Sequence, residues 1–210
     1  MSDKTRIRRL PERSVEDLDV IYAVLDEGFV CHAAYVTEGR PVVIPTLYAR
    51  DGHRLLLHGS NSMGLAGAVR SGSPLSVAIT HVDGVVVARS AFNSSANYRS
   101  VVVHGHGRLL DGAEKAAGLD IVIDRVIPGR RADLRPSTEK EIAQTSVIEL
   151  SLDEVSAKVR SGGPGDDPED MELEVWAGVV PLRLVAGDPI PADDLMPGLD
   201  TPDYLRPYRR

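Results

Sequence analysis

The sequence predicts a mainly β fold of the α+β type, an antiparallel barrel with short helices at its connections. Three observations carry this. Apolar, β-branched runs of strand length recur between residues 29 and 184, about seven in all. Two Asp-Gly pairs, Asp51-Gly52 and Asp83-Gly84, stand between such runs as hairpin turn signals. Helical periodicity is confined to short stretches: Val15, Leu18, Ile21, Tyr22 and Leu25, then residues 63–69 and 113–126.

The organising stretch is residues 41–64, PVVIPTLYARDGHRLLLHGSNSMG. Strand 42–49, the Asp51-Gly52 turn and strand 54–58 make a hairpin that runs into a small polar loop, Gly59 to Ser62, and a short helix. Before it, Ser14 opens a helix with Asp17 as its capping-box acid, Gly28 ends that helix, and residues 29–37 form a strand. After it come strand 75–82, the turn at Asp83-Gly84, strand 85–90, a small polar loop and strand 98–110. A helix over 113–126 stops at Pro128-Gly129. Residues 136–144 add further helical turns, 146–152 form a strand whose path 155–160 continues, and 173–184 make the last strand. One domain over residues 1–185 is expected, followed by a Pro-rich extended tail over 186–210.

Composition excludes several classes. With 24 basic and 31 acidic residues the chain carries a net charge of −7, which argues against nucleic-acid binding and gives no attraction to an anionic membrane. The N-terminus lacks the apolar core of a signal peptide, and no run of ~18 apolar residues is present, so a cytoplasmic location is expected. The lone cysteine, Cys31, lies in an apolar run and reads as a buried small hydrophobe.

Among side chains that carry chemistry, the six histidines form neither a His-Glu-x-x-His pattern nor a cluster with Cys-x-x-Cys spacing, so no metal site is expected. His104 and His106 share one face of a strand. The Gly-x-Ser-x-Gly elbow and the Gly-Lys-Ser/Thr phosphate loop are both absent. The loop of His58, Gly59, Ser60 and Ser62, followed by Met63 at a helix start, has the backbone donors of a phosphate site, against the plain reading of Ser62 as a helix cap. Arg99 and Ser100 form a second polar spot and Lys158 with Arg160 a third; each reads equally as a solvated strand end. Trp176 is the only tryptophan. His58 is the one candidate for acid–base work, with packing as its alternative.

Taken together, Val43-Ile44-Pro45-Thr46, His58-Gly59-Ser60 with Ser62, Asn97-Tyr98-Arg99-Ser100-Val101, the segment from Ser156 to Gly162 and the segment from Trp176 to Leu182 resemble the pyridoxamine-phosphate-oxidase-like split-barrel superfamily. The branch most similar is that of flavin-nucleotide-binding proteins related to nitroimidazole-resistance reductases. The resemblance implies an antiparallel six-stranded split barrel that forms a homodimer with FMN at the subunit interface. It implies that Val43, Ile44, Pro45 and Thr46 line the flavin ring. His58, Gly59, Ser60, Ser62 and Met63 would hold the phosphate, Arg99 and Ser100 would face the cleft, and Lys158, Arg160 and Trp176 would close it. A flavin-dependent reductase of a small molecule is then the expected activity, with a flavin carrier, or a split barrel binding deazaflavin or haem through His58, His104 or His106, as the alternatives. The basic segment that the oxidase carries after its second hairpin strand reads Ser60-Asn61-Ser62-Met63-Gly64 here, and the oxidase's C-terminal arginine–histidine pattern is missing. Vitamin-B6 oxidation is not implied.

Overall fold

A computed structural model describes residues 5–62 and 64–205. Its strands are β1 (Ser14–Val15), β2 (Val30–Thr37), β3 (Arg40–Asp51), β4 (Arg54–Ser60), β5 (Pro74–Val87), β6 (Ser95–His106), β7 (Arg108–Leu109), β8 (Thr145–Ser151), β9 (Glu154–Arg160) and β10 (Gly178–Pro181). The α-helices are α1 (Leu18–Glu27), α2 (Gly64–Arg70), α3 (Gly112–Val126) and α4 (Glu139–Gln144). The strands lie antiparallel in the order β1-β9-β6-β5-β2-β3-β4-β8-β7, with β10 on β5, so the barrel is split and does not close. Among the described residues ten strands stand in place of the expected six: seven longer strands, with the two-residue pieces β1 and β7 and the edge strand β10 added to the ladder.

The split is made by β3. Its first part, Arg40 to Leu47, pairs with β2, and its last part, Tyr48 to Asp51, pairs with β4. The turn entering β3 places Glu38 and Gly39 at φ 51° and 71°, the left-handed pair that a tight hairpin requires. Two side chains hold the parting strands. The Thr46 hydroxyl donates to the His58 carbonyl at 3.1 Å, and the buried Tyr48 hydroxyl donates to the Leu25 carbonyl at 2.7 Å. The second bond satisfies an end carbonyl of α1, whose N-terminus is capped by Asp17 accepting from the Asp19 N–H.

Several expectations are corrected. Asp83-Gly84 is not a hairpin turn: β5 runs straight through it, and the register shifts between Val82 and Gly84 as a bulge. A Cβ on Gly84 would lie 3.0 Å from the Val180 carbonyl, so the glycine there admits β10 rather than a reversal. Ser14 belongs to β1, and the helix start is Asp17. Residues 155–160 do not continue the path of 146–152, because β8 pairs with β4 while β9 pairs with β6. Of the strand expected over 173–184 only Gly178–Pro181 is laddered. Met63 lies outside the described residues.

The core sits inside the split barrel, built from Leu25, Leu55, Leu57, Val77, Ile79, Val101, Ile148 and Leu150 with Tyr48. Leu56, on the opposite face of β4, packs with Val147 and Val122 beneath α3. Cys31 is fully buried, and burial pushes its thiol up to about 12, so it is an inert core group. Among the described residues no helix is long and apolar enough to cross a membrane. Tyr48→Phe, which strands the Leu25 carbonyl, is expected to cost ~1–2 kcal/mol of unfolding free energy. A urea titration reads this as a lower midpoint at unchanged slope.

Candidate functional site

Alternation along the strands gives the β9-β6-β5-β2-β3 sheet an inner face that is core and an outer face that no helix among the described residues covers. Hydrogen-bonded rows run across that outer face: Val43, Ala34, Ser76, His104 and Glu154 form one row, and Pro45, His32, Ala78, Val102 and Ser156 the next. Over the first row lies a cavity of about 470 Å³, lined by Val36, Pro41, Val43, Pro74, Ser76, His104, His106 and Glu154, among others. Its volume lies in the range of small-molecule sites.

Two imidazoles line this cavity, and each is held by Nδ1. His104 Nδ1 meets the Ser76 hydroxyl at 2.7 Å, and His106 Nδ1 lies 3.2 Å from the Gly72 carbonyl, to which it donates. With Nδ1 engaged by Ser76, Nε2 is the nitrogen of His104 that could bind a ligand, in the tautomer that leaves it unprotonated. The other histidines have structural tasks or stand apart. His81 Nε2 donates to the Val24 carbonyl at 2.9 Å, and His53 bridges the Tyr22 hydroxyl at 2.7 Å and Asp153 at 3.3 Å. Among the described residues no three His, Cys, Asp or Glu side chains cluster as a metal-ion site.

Alternation puts His58 on the same face of β4 as Leu56, on the side covered by α3. Its Nδ1 is buried without a hydrogen-bond partner among the described residues, and desolvation lowers its pKa, keeping the ring neutral. The loop beyond it is tied down chiefly by Asn61. The Asn61 N–H donates to the Gln144 carbonyl at 3.0 Å, and its side chain joins Ala143 and Ser146. Ser60 and Ser62 share a hydrogen bond of 2.9 Å, exposed at the mouth of the loop. Arg70, at the far end of α2, brings its guanidinium to 3.4 and 3.5 Å from the Asn61 carbonyl. That cation was not foreseen, and its signal was a basic residue two turns down a helix whose N-terminus carries none.

The other expected cations lie elsewhere. Arg99 is clasped by Glu27 and Asp83, with bonds of 2.8 Å to Glu27 and of 2.7 and 2.9 Å to Asp83. Those hydrogen bonds raise its pKa and depress both carboxyls, and they bind the end of α1 to β5 and β6. Ser100 contacts the Lys158 carbonyl at 3.5 Å, Lys158 Nζ donates to the Arg9 carbonyl at 2.8 Å, and Arg160 joins Asn97 and the Gly163 carbonyl. Trp176 is 65% exposed and closes over Gly178. These groups belong to β6, β9 and the approach to β10. Val43 to Thr46 and the Ser60–Ser62 loop lie at β3 and β4. Four strand spacings separate β3 from β9, roughly 19 Å along the sheet. Within one chain Lys158 and Arg160 therefore stand furthest from the β3 residues, while Arg99, Ser100 and Trp176 lie on or beside strands between them.

An open, split antiparallel barrel defines the class: a split-barrel protein. The family model for pyridoxamine 5'-phosphate oxidase matches residues 17–159, and the chain belongs to that family. None of the curated proteins matches it. Among solved structures, it is similar to the flavocytochrome Anf3 from Azotobacter vinelandii, at 36% identity over 97% of this chain and 95% of that one, with a TM-score of 0.93. It is similar also to an FAD- and haem-binding protein from Mycobacterium smegmatis, at 38% identity over 91% and 95% of the two chains, with a TM-score of 0.88. A candidate 5-nitroimidazole antibiotic resistance protein from Bacteroides thetaiotaomicron VPI-5482 shares the fold, at 18% identity over 70% and 86% and a TM-score of 0.59.

The neutral, buried His58 has a pH consequence. Its folded pKa is depressed below that of the unfolded chain, near ~6.5, so the unfolded state takes up the proton first. Stability is full above that value and falls as the pH drops through it. Urea midpoints at pH 7.0 and 5.5 are expected to diverge less in His58→Leu than in the parent protein.

Proposed function

We propose that the chain is a flavohaem redox protein, holding a flavin and a haem and moving electrons between them. The observation that carries this reading is the apolar cavity into which the sheet sets His104, an imidazole already oriented by Ser76. A tetrapyrrole needs apolar walls and one or two neutral imidazoles. Val36, Val43, Pro41 and Pro74 supply the walls, and His104 supplies the nitrogen, with His106 as its neighbour. The likeness to a flavocytochrome and to an FAD- and haem-binding protein, at 36% and 38% identity over nearly whole chains, supports the same pair of groups.

For the flavin, the polar loop of Ser60 and Ser62 with Arg70 fits a phosphate, and the exposed edge of β3 from Val43 to Thr46 fits the ring. Arg70 supplies the positive charge that the sequence of the loop itself lacks. FAD is proposed in place of FMN, on the chemistry of the Mycobacterium relative. The protein is proposed to act as a homodimer, which allows Lys158, Arg160 and Trp176 of one subunit to approach the β3 edge of the other.

When bound, a flavin exchanges one or two electrons and a haem one, so the pair can turn a two-electron donor into single-electron steps. The chain's own residues bind and orient. Ser76 fixes the His104 ring, the valines and prolines would give a haem its apolar walls, and Arg70 would offset phosphate charge.

The test is an absorption spectrum of the purified protein reconstituted with FAD and haemin. Flavin bands and a Soret band are both expected. His104→Ala should lose at least nine-tenths of the Soret absorbance and keep the flavin, while Arg70→Ala should weaken flavin retention about tenfold and keep the haem, as expected for loss of one charge-assisted contact of ~1.4 kcal/mol. A parent protein that takes up no haem, or an His104→Ala variant with an unchanged Soret band, contradicts the proposal.

A further inference from the structure

Away from the cavity and the Ser60–Ser62 loop, three side chains from three segments meet. Tyr22 stands on α1, beside the buried stripe of Ile21, Val24 and Leu25. His53 closes the Asp51-Gly52 turn between β3 and β4, where Gly52 takes φ 58°. Asp153 lies in the turn between β8 and β9. The Leu152 N–H donates to the His53 carbonyl at 3.0 Å, so the two turns are tied through their backbones.

The side-chain contacts run in series. The Tyr22 hydroxyl lies 2.7 Å from His53 Nδ1, and His53 Nε2 lies 3.3 Å from one carboxylate oxygen of Asp153. The other Asp153 oxygen accepts from the Ser151 hydroxyl at 2.6 Å, and the Asp153 N–H donates to the same hydroxyl at 3.2 Å. The bond from Ser151, with the charge of His53 behind it, holds the Asp153 carboxyl below the usual carboxylate range. A carboxylate only accepts, which fixes the tautomer of the neutral imidazole. Nε2 carries the proton and faces Asp153, and Nδ1 accepts from the Tyr22 hydroxyl. On its face the Tyr22 ring meets Arg50, whose guanidinium carbon stands 4.5 Å from the ring centroid. Asp26, one turn further along α1, holds that guanidinium there and accepts from Arg50 Nε at 2.8 Å. A cation so placed is attracted more strongly as the phenol oxygen gives up its proton, and Asp26 offsets part of that charge.

A hydroxyl on a base, and the base on a third group that orients it, is the arrangement of an activated nucleophile. We propose that Tyr22 is a nucleophilic modification site that takes an acyl group from activated donors of the acyl-phosphate or acyl-imidazole type. His53 is its base and Asp153 a positioning residue. In the step, Tyr22 Oη bonds to the carbonyl carbon, and the bond from that carbon to the leaving group breaks with its electron pair going to the leaving group. The phenol proton passes to His53 Nδ1. Asp153 holds the imidazolium until the proton passes on to the leaving group or to water, and the product is an O-acyl tyrosine. A small donor can reach the hydroxyl from solvent, since Tyr22 is half-buried and the His53 side chain is 45% exposed. None of the three residues lines the cavity, so the site is independent of the group the cavity holds.

The test is acetylation of the full chain by N-acetylimidazole near pH 7.5, followed tyrosine by tyrosine with peptide mass spectrometry. Reversal by hydroxylamine identifies the phenolic esters. Tyr98, half-buried like Tyr22, is the internal reference. Tyr22 is expected to react roughly tenfold or more faster than Tyr98, as a positioned general base allows. His53→Gln keeps a hydrogen-bonding group without a base, and His53→Ala removes both. Each should slow Tyr22 by roughly tenfold or more and leave Tyr98 unchanged, with circular dichroism establishing that both variants remain folded. A bond that only ties α1 to the two turns predicts the reverse for His53→Ala, because its loss frees the hydroxyl and speeds the reaction. A Tyr22 no faster than Tyr98, or a Tyr22 rate in either variant that equals or exceeds the parent's, overturns the proposal.

Discussion

One strand with two partners governs this molecule. β3 must leave β2 and take up β4 within a single residue step, between Leu47 and Tyr48. At such a parting the ladder cannot satisfy both neighbours, so side chains take over: Thr46 reaches the His58 carbonyl and Tyr48 reaches the last turn of α1. Both bonds are buried or half-buried, where an unmade hydrogen bond costs most. They keep the barrel split. They also fix where the Ser60–Ser62 loop stands relative to the β3 edge.

A split barrel that does not close leaves one sheet face without a covering layer. α3 covers the outer side of β4 and β8 around Leu56 and Val147, while none of the described helices lies on the outer side of β2, β5 and β6. Its inner positions are large and buried, and its outer positions are Ala34, Ser76, Ala78, Thr80 and Ser100, small groups that leave a flat surface. Flatness suits a planar ring system or a second protein layer, and the same surface can serve both when one lies under the other. His104 is one of the large polar groups in that surface, and Ser76 opposite it on β5 explains how it is tolerated there.

Much of this was legible in the sequence. β-branched runs, the Asp51-Gly52 turn and the polar loop before a short helix marked the hairpin of β3 and β4, because turn chemistry is local. Asp83-Gly84 misled for the same reason: its local signal is that of a hairpin, yet long-range pairing with β6 and β10 on either side keeps β5 straight and turns the pair into a bulge. The cations were visible as residue types but not as partners. Arg99 read as open to a phosphate, and its engagement with Glu27 and Asp83, distant in sequence, could be known only from the fold. His104 and His106 read as one strand face, and what distinguishes them, the Ser76 hydroxyl and the Gly72 carbonyl, again comes from neighbouring segments. The Pro-rich character of the tail was plain, whereas what holds it, β10 on β5 at one end and Tyr204 against Gly129 at the other, was not.

The proposed haem would set its iron against His104 on the outer sheet face. Anomalous diffraction at the iron edge from crystals of the reconstituted protein tests this directly. The account predicts one iron peak per chain within ligating distance of His104 Nε2, walled by Val36 and Val43. An iron peak beside His58 or remote from every imidazole of the cavity would contradict it.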